Sequence, residues 1–293
     1  MGEAGAHRGG SGLSDWQELR KGGRRMVATG VRSFADNNLI AYASTIAFQV
    51  LLALIPLALT ALALLGFLDL EEIWESDIAP AVEDRVQPDA FSVIDRTADE
   101  ILGEQRGYWL TLGAALALWQ VSGAVRATIT PLNKIYGAED ERSWWRRMLV
   151  SLVLALAIGP LVIGAALLIR AGPRLVRSLD LPTGLGIVAD VLRWGLALAL
   201  LATAVWLLIK YAPANAQPLG WAGIGTVFVV VSWVVASLGF GLWAAFVANY
   251  GSVFAGLATA YVLLTYLYLS SLALLFGIQL DQCVRQEVAR NDD

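Results

Sequence analysis

Apolar residues in this chain come in long blocks rather than in stripes. From Leu39 to Phe67, about 29 residues pass without an Asp, Glu, Lys, Arg or His. A helix needs roughly 20 apolar residues to cross the hydrocarbon of a bilayer. Comparable or shorter runs lie at about 108–124, 148–169, 192–209 (free of charge from Gly195), 222–246 and 257–277. Lipid offers the backbone no hydrogen-bond partners, so each run must satisfy itself as a helix. The expected fold is all-α: a polytopic membrane protein with six transmembrane helices.

Between the blocks the pattern turns periodic in two places. Trp16, Leu19, Met26, Val27, Val31 and Phe34 recur at helical spacing, with Arg20, Lys21, Arg24, Arg25 and Arg32 elsewhere on the wheel. Ser14 with Gln17 is placed to form a capping box. Residues 14–36 therefore predict an amphipathic interfacial helix on an anionic leaflet, following a disordered stretch, 1–13. The plain reading is a topological anchor; the functional one is a lipid-sensing helix. Leu70, Ile73, Trp74 and Ile78, then Phe91, Ile94, Ala98, Ile101 and Leu102, repeat likewise, with Pro80 and Pro88 as breaks. Residues 70–105 are too long for a simple connection and predict a helical cap between spans 1 and 2. The membrane domain then covers 37–285, and 286–293 form a C-terminal tail.

Composition fits a membrane domain and excludes several chemistries. The chain is 57% hydrophobic and 16% charged, with mean hydropathy +0.61, against about 25% charge in soluble domains. One cysteine, Cys283, leaves no intramolecular disulfide, and one histidine, His7, leaves no His/Cys metal cluster. Residues 1–13 lack the apolar core of a cleaved signal, so the first span is expected to direct insertion. With the N-terminus inside, fourteen of the 21 basic residues fall on inner segments. That bias places both termini in the cytoplasm. The acidic residues crowd instead into the cap segment, as a solvated face or a cation funnel.

No ionisable residue stands near the middle of any expected span, where carriers of protons and ions usually keep one. The polar candidates for a cavity or substrate path are Ser44, Thr45 and Gln49 in span 1, Gln120 in span 2, and Tyr266, Ser270 and Gln279 in or beside span 6. A lone Ser or Thr is most simply an interhelical hydrogen bond. Gln49 and Gln120 cost more to hide and are expected to face the bundle and share a cavity. Pro56 and Pro160 are expected to kink spans 1 and 3. No nucleophile–base set or nucleotide loop is present, so no catalytic, metal or cofactor residue is assigned and no nucleic-acid partner is expected.

The stretch Ala41-Tyr-Ala-Ser-Thr-Ile-Ala-Phe-Gln-Val-Leu-Leu-Ala-Leu-Ile-Pro56 resembles the signature first span of the YihY/virulence factor BrkB family. Leu132-Asn-Lys-Ile-Tyr-Gly137 with Arg142-Ser-Trp-Trp-Arg-Arg147 is similar to its loop after span 2. Tyr250-Gly251, Leu264-Thr-Tyr-Leu-Tyr-Leu-Ser270 and Gly277-Ile-Gln279 follow the order of its last span. Ala53 stands where Ser is common, Phe48-Gln49 where two aromatics are common, and Gln279 where Glu is frequent. The resemblance implies a six-span bacterial inner-membrane protein. A ribonuclease label that the family has carried finds no clustered ligands here. Two function classes follow: a transporter or flippase-like carrier of an envelope component such as a lipid, or a non-transporting envelope scaffold. Membrane lipids are the expected partners in both.

Overall fold

The computed structural model describes residue 34 and residues 36–83, 88–103, 106–170, 172–173, 183–215, 217, 219–247 and 255–292. The expected interfacial helix over 14–36 lies almost wholly outside them. The fold is all-α, and among the described residues six helices are long and apolar enough to span a membrane. In chain order the described helices are α1 (Leu39–Phe67), then the short cap helices α2 (Glu71–Ile73), α3 (Ala79–Glu83) and α4 (Pro88–Leu102), then the spanning helices α5 (Arg106–Tyr136), α6 (Trp144–Arg170), α7 (Thr183–Tyr211), α8 (Leu219–Val247) and α9 (Ala255–Asp292), α1 being the first of the six. A π-helical turn, Trp74–Ile78, joins α2 to α3.

The six long helices close into a ring. Each packs on its successor, α1 on α5, then α6, α7, α8 and α9, and α9 returns to pack on α1. Burial within the ring is uneven. Leu39 and Ala43 of α1, Ile129 and Leu132 of α5, Leu154 of α6, Ile209 of α7, and Leu275 and Ile278 of α9 form one dense core. These residues lie toward the ends of the helices opposite the cap, so the ring is tightest there.

At the cap end, Trp74, Ala98 and Leu102 are buried together, with Leu62 and Leu65 of α1 packed beneath them. Trp74 Nε1 donates to Asp95 at 3.4 Å, tying the π turn to α4. The apolar face of α4 is thereby satisfied by the last turns of α1, and Asp99 and Glu100 are left toward water.

Two helices meet unusually closely. A Cβ added at Gly277 of α9 would stand 2.5 Å from Val229 Cα and 2.6 Å from Val229 N. Only a glycine lets the two backbones approach so far. Neither expected kink ends its helix: α1 runs through Pro56 and α6 through Pro160, as α5 does through Pro131. Thr60 Oγ1 donates to the Pro56 carbonyl at 2.7 Å.

The charge-free runs understate the helices. α5 continues twelve residues past Ala124, and α9 fifteen past Gly277. Arg126 and Asp281 thus lie inside spanning helices rather than in loops. The apolar run ends where polar side chains begin, but the helix need not, because those side chains find partners inside the bundle.

Candidate functional site

A half-open cavity of about 280 Å³ lies between α1, α7, α8 and α9. Its wall is made mostly of aliphatic side chains, among them Ile46, Leu201, Val205, Val229 and Leu267. The polar marks on it are Ser270, Ser271 and the indole of Trp233, whose Nε1 donates to Ser270 Oγ at 3.3 Å. The dense core opposite the cap forms the floor, since Ile46 and Val229 belong to both. A second, shallower hollow of about 410 Å³ lies between α1 and α9, lined by Ser44, Ala47, Phe48, Tyr261, Leu264, Thr265 and Tyr268. Both are places for an apolar group with little hydrogen-bonding demand.

Below the floor, two polar clusters tie the helix ends together. Asp140, in the loop between α5 and α6, accepts from Arg142 Nε at 2.9 Å and lies 3.0 Å from Arg147 Nε. Asn133 donates to Asp140 at 3.2 Å and accepts from the Ala214 backbone N–H at 2.7 Å, while Arg142 also reaches the Ala212 carbonyl at 2.8 Å. The loops after α5 and α7 are clasped by this set. Burial pushes the Asp140 carboxyl up, but the Arg142 hydrogen bonds and the charges of Arg142 and Arg147 outweigh it, and it sits below the usual carboxylate range.

In the second cluster Asp281 of α9 is fully buried. It pairs with Arg285 at 2.7 Å and accepts from the Tyr136 hydroxyl at 3.4 Å. The Arg285 guanidinium lies over the Tyr136 ring and donates to Gln217. A buried pair with these extra partners holds α5, α9 and the segment before α8 in one arrangement.

The sequence candidates divide between these features. Ser270 lines the cavity, and Ser44 lines the α1–α9 hollow. Thr45 donates to the Ala41 carbonyl of its own helix at 3.2 Å. The Tyr266 hydroxyl lies 3.3 Å from Ser237 Oγ, joining α9 to α8. Gln279 is buried, with Nε2 3.8 Å from Cys283 Sγ and Oε1 without a partner among the described residues. Gln49 and Gln120 are half-buried, and neither lines the 280 Å³ cavity or the hollow. Gln49 instead points toward Gly123 of α5, where an added Cβ would stand 3.1 Å from its Oε1. The residues that sequence reasoning passed over are Arg126, Tyr136, Asp140 and Asp281. The signal for Asp281 was its spacing: Arg285 follows it by four residues, one turn on, as an ion pair on a helix requires.

Residues 31–293 match the family described as Virulence factor BrkB. The chain belongs to that family. Among BrkB-like relatives, a ribonuclease-like protein of Bacillus subtilis named YfkH is 25% identical over 252 residues, covering 85% of this chain and 90% of its own. UPF0761 membrane proteins of Rhodospirillum centenum and Psychrobacter are 28% and 24% identical, covering 87% and 81% of this chain. This chain spans about half the length of those two, 56% and 44%. No solved structure matches it significantly. The word ribonuclease belongs to the YfkH name. Among the described residues of this BrkB-family chain, no three His, Cys, Asp or Glu side chains gather closely enough to hold a metal ion.

Proposed function

We propose that this BrkB-family protein is a flippase-like carrier of an amphiphilic envelope component, a lipid above all, in the bacterial inner membrane, with both termini cytoplasmic. The observation that carries this reading is the cavity between α1, α7, α8 and α9. It is near the lower end of the roughly 300–1,000 Å³ of small-molecule pockets, its wall is almost wholly aliphatic, and its floor is sealed on one side only. An acyl chain needs such a wall, and it needs no ionisable relay. No catalytic role is assigned.

The test is reconstitution into vesicles with a fluorescently labelled phospholipid in one leaflet. The wild-type protein should equalise the label faster than protein-free vesicles do. Leu201→Trp, which fills the cavity, should slow that exchange several-fold while the protein still inserts. Exchange no faster than in protein-free vesicles would replace the carrier with the scaffold reading.

A further inference from the structure

Arg126 has unusual partners for an arginine inside a spanning helix. It lies ten residues before the end of α5, about 15 Å from that end at about 1.5 Å per residue. It stands two residues past the charge-free run, so it sits at the edge of the hydrocarbon. A cation there ordinarily stretches toward water. This one turns back. Its Nη1 donates to Ser122 Oγ, one turn deeper, at 2.6 Å, and its guanidinium lies 5.5 Å from the Trp119 ring, two turns deeper. On α6, Nη1 also reaches Ser151 Oγ at 3.3 Å and Met148 Sδ at 3.6 Å.

All of these partners are neutral. Among the described residues no carboxylate lies within 4.0 Å of Arg126, whereas Arg142, Arg147, Arg193 and Arg285 each have an aspartate at 3.0 Å or less. Both serines are fully buried, so the contact is built into the α5–α6 packing. The remaining donors, Nε and Nη2, have no hydrogen-bond partner among the described residues, and Arg126 is only half-buried. The open edge faces a space kept by Gly123: a Cβ there would stand 3.5 Å from Arg126 Nη2 and 3.1 Å from Gln49 Oε1. The Gln49 side chain lies on the other side of Gly123, with its Oε1 nearest. Two polar groups, one on α1 and one on α5, thus stand together beside Gly123.

We propose that Arg126, with Gln49, binds the phosphate of an anionic head group, and that the carrier's cargo is an anionic phospholipid. The first half stands on the geometry alone; the second rests on the carrier reading above. The free edge of a guanidinium matches two phosphate oxygens at once. The Gln49 amide beside it turns its Oε1 toward Gly123; rotated half a turn about Cγ–Cδ, it would offer its Nε2 donor to the same phosphate.

The experiment is native mass spectrometry of the protein in mild detergent, titrated with phosphatidylglycerol or with phosphatidylcholine. Wild type should retain phosphatidylglycerol at least tenfold better. Arg126→Gln should lose that preference, and Arg126→Lys should keep part of it. Gly123→Ala, whose methyl would press the movable end of Gln49 at 3.1 Å and stand at ordinary contact distance, 3.5 Å, from Arg126 Nη2, should weaken it without removing the charge. The same preference in wild type, Arg126→Gln and Gly123→Ala overturns the site. In a parallel arm inorganic phosphate replaces lipid. A phosphate-dependent rise in melting temperature that Arg126→Gln abolishes, with no lipid preference, upholds the phosphate site and overturns the lipid cargo. Vesicle exchange separates the rest. Selective binding without exchange leaves the site standing and removes the carrier; undiminished exchange by Arg126→Gln overturns the cargo assignment.

Discussion

Asp140 shows how a single carboxylate can lock two loops. Its folded form is held below the ordinary Asp value by Arg142 and Arg147 against the opposing effect of burial. A depressed carboxylate contributes stability that is present above its unfolded value of about 3.9 and lost as pH falls through the lower folded value. Melting temperature should therefore drop more steeply below about pH 4 in wild type than in Asp140→Asn, which should already melt lower at pH 7. Parallel curves for the two proteins would show that the Asp140 cluster adds nothing.

This residue was not singled out from sequence, and the reason is physical. Its three partners come from the end of α5, the following loop and the start of α6, so no local spacing marks it. Arg126 escaped for a related reason. Hydropathy ends a span at the first charge, while the protein ends its helix only where the polar partners run out. Ser270 was legible because a hydroxyl in an otherwise apolar face must go somewhere, and it faces the cavity. Gln49 was legible as an amide needing an explanation; its neighbour Gly123 was not, since a glycine's role depends on what stands opposite.

At the scale of elements, the long apolar blocks made the six helices readable, because nothing but a helix satisfies a backbone in lipid. Their order around the ring was not readable. Blocks that are apolar on every side carry no stripe to say which neighbour each face meets. Contact between α8 and α9 depends instead on Gly277. Gly277→Ala would put a methyl 2.5 Å from Val229 Cα, and backbone cannot swing aside as a side chain can. We expect a loss of roughly 1–3 kcal/mol, the usual cost of overpacking, read as a lower melting temperature in detergent. Gly239→Ala, where an added Cβ meets nothing within 4 Å, should leave that temperature within a degree or two.

At the scale of the whole molecule, the two faces differ in kind. One carries the acid-rich cap helices, the other the Asp140 and Asp281 clusters, and the basic residues crowd toward the second. By the positive-inside bias the cap is expected outside the cell. Val93 and Glu139 are both exposed, on the cap and on the opposite loop. In intact cells a membrane-impermeant thiol reagent should label Val93→Cys and spare Glu139→Cys. The reverse pattern would invert the orientation and, with it, the leaflet that the cavity floor closes off.

The ring also has a seam. Its closing contact joins the first spanning helix to the last, and these are the segments made furthest apart in time. From the start of α1 to the start of α9 a ribosome adds a little over 200 residues, roughly 10–40 s of synthesis at typical rates. During that interval one flank of α1, Ser44 and Phe48 included, has only lipid or the insertion machinery beside it. The nascent protein is an open arc that first becomes a ring when its final helix arrives.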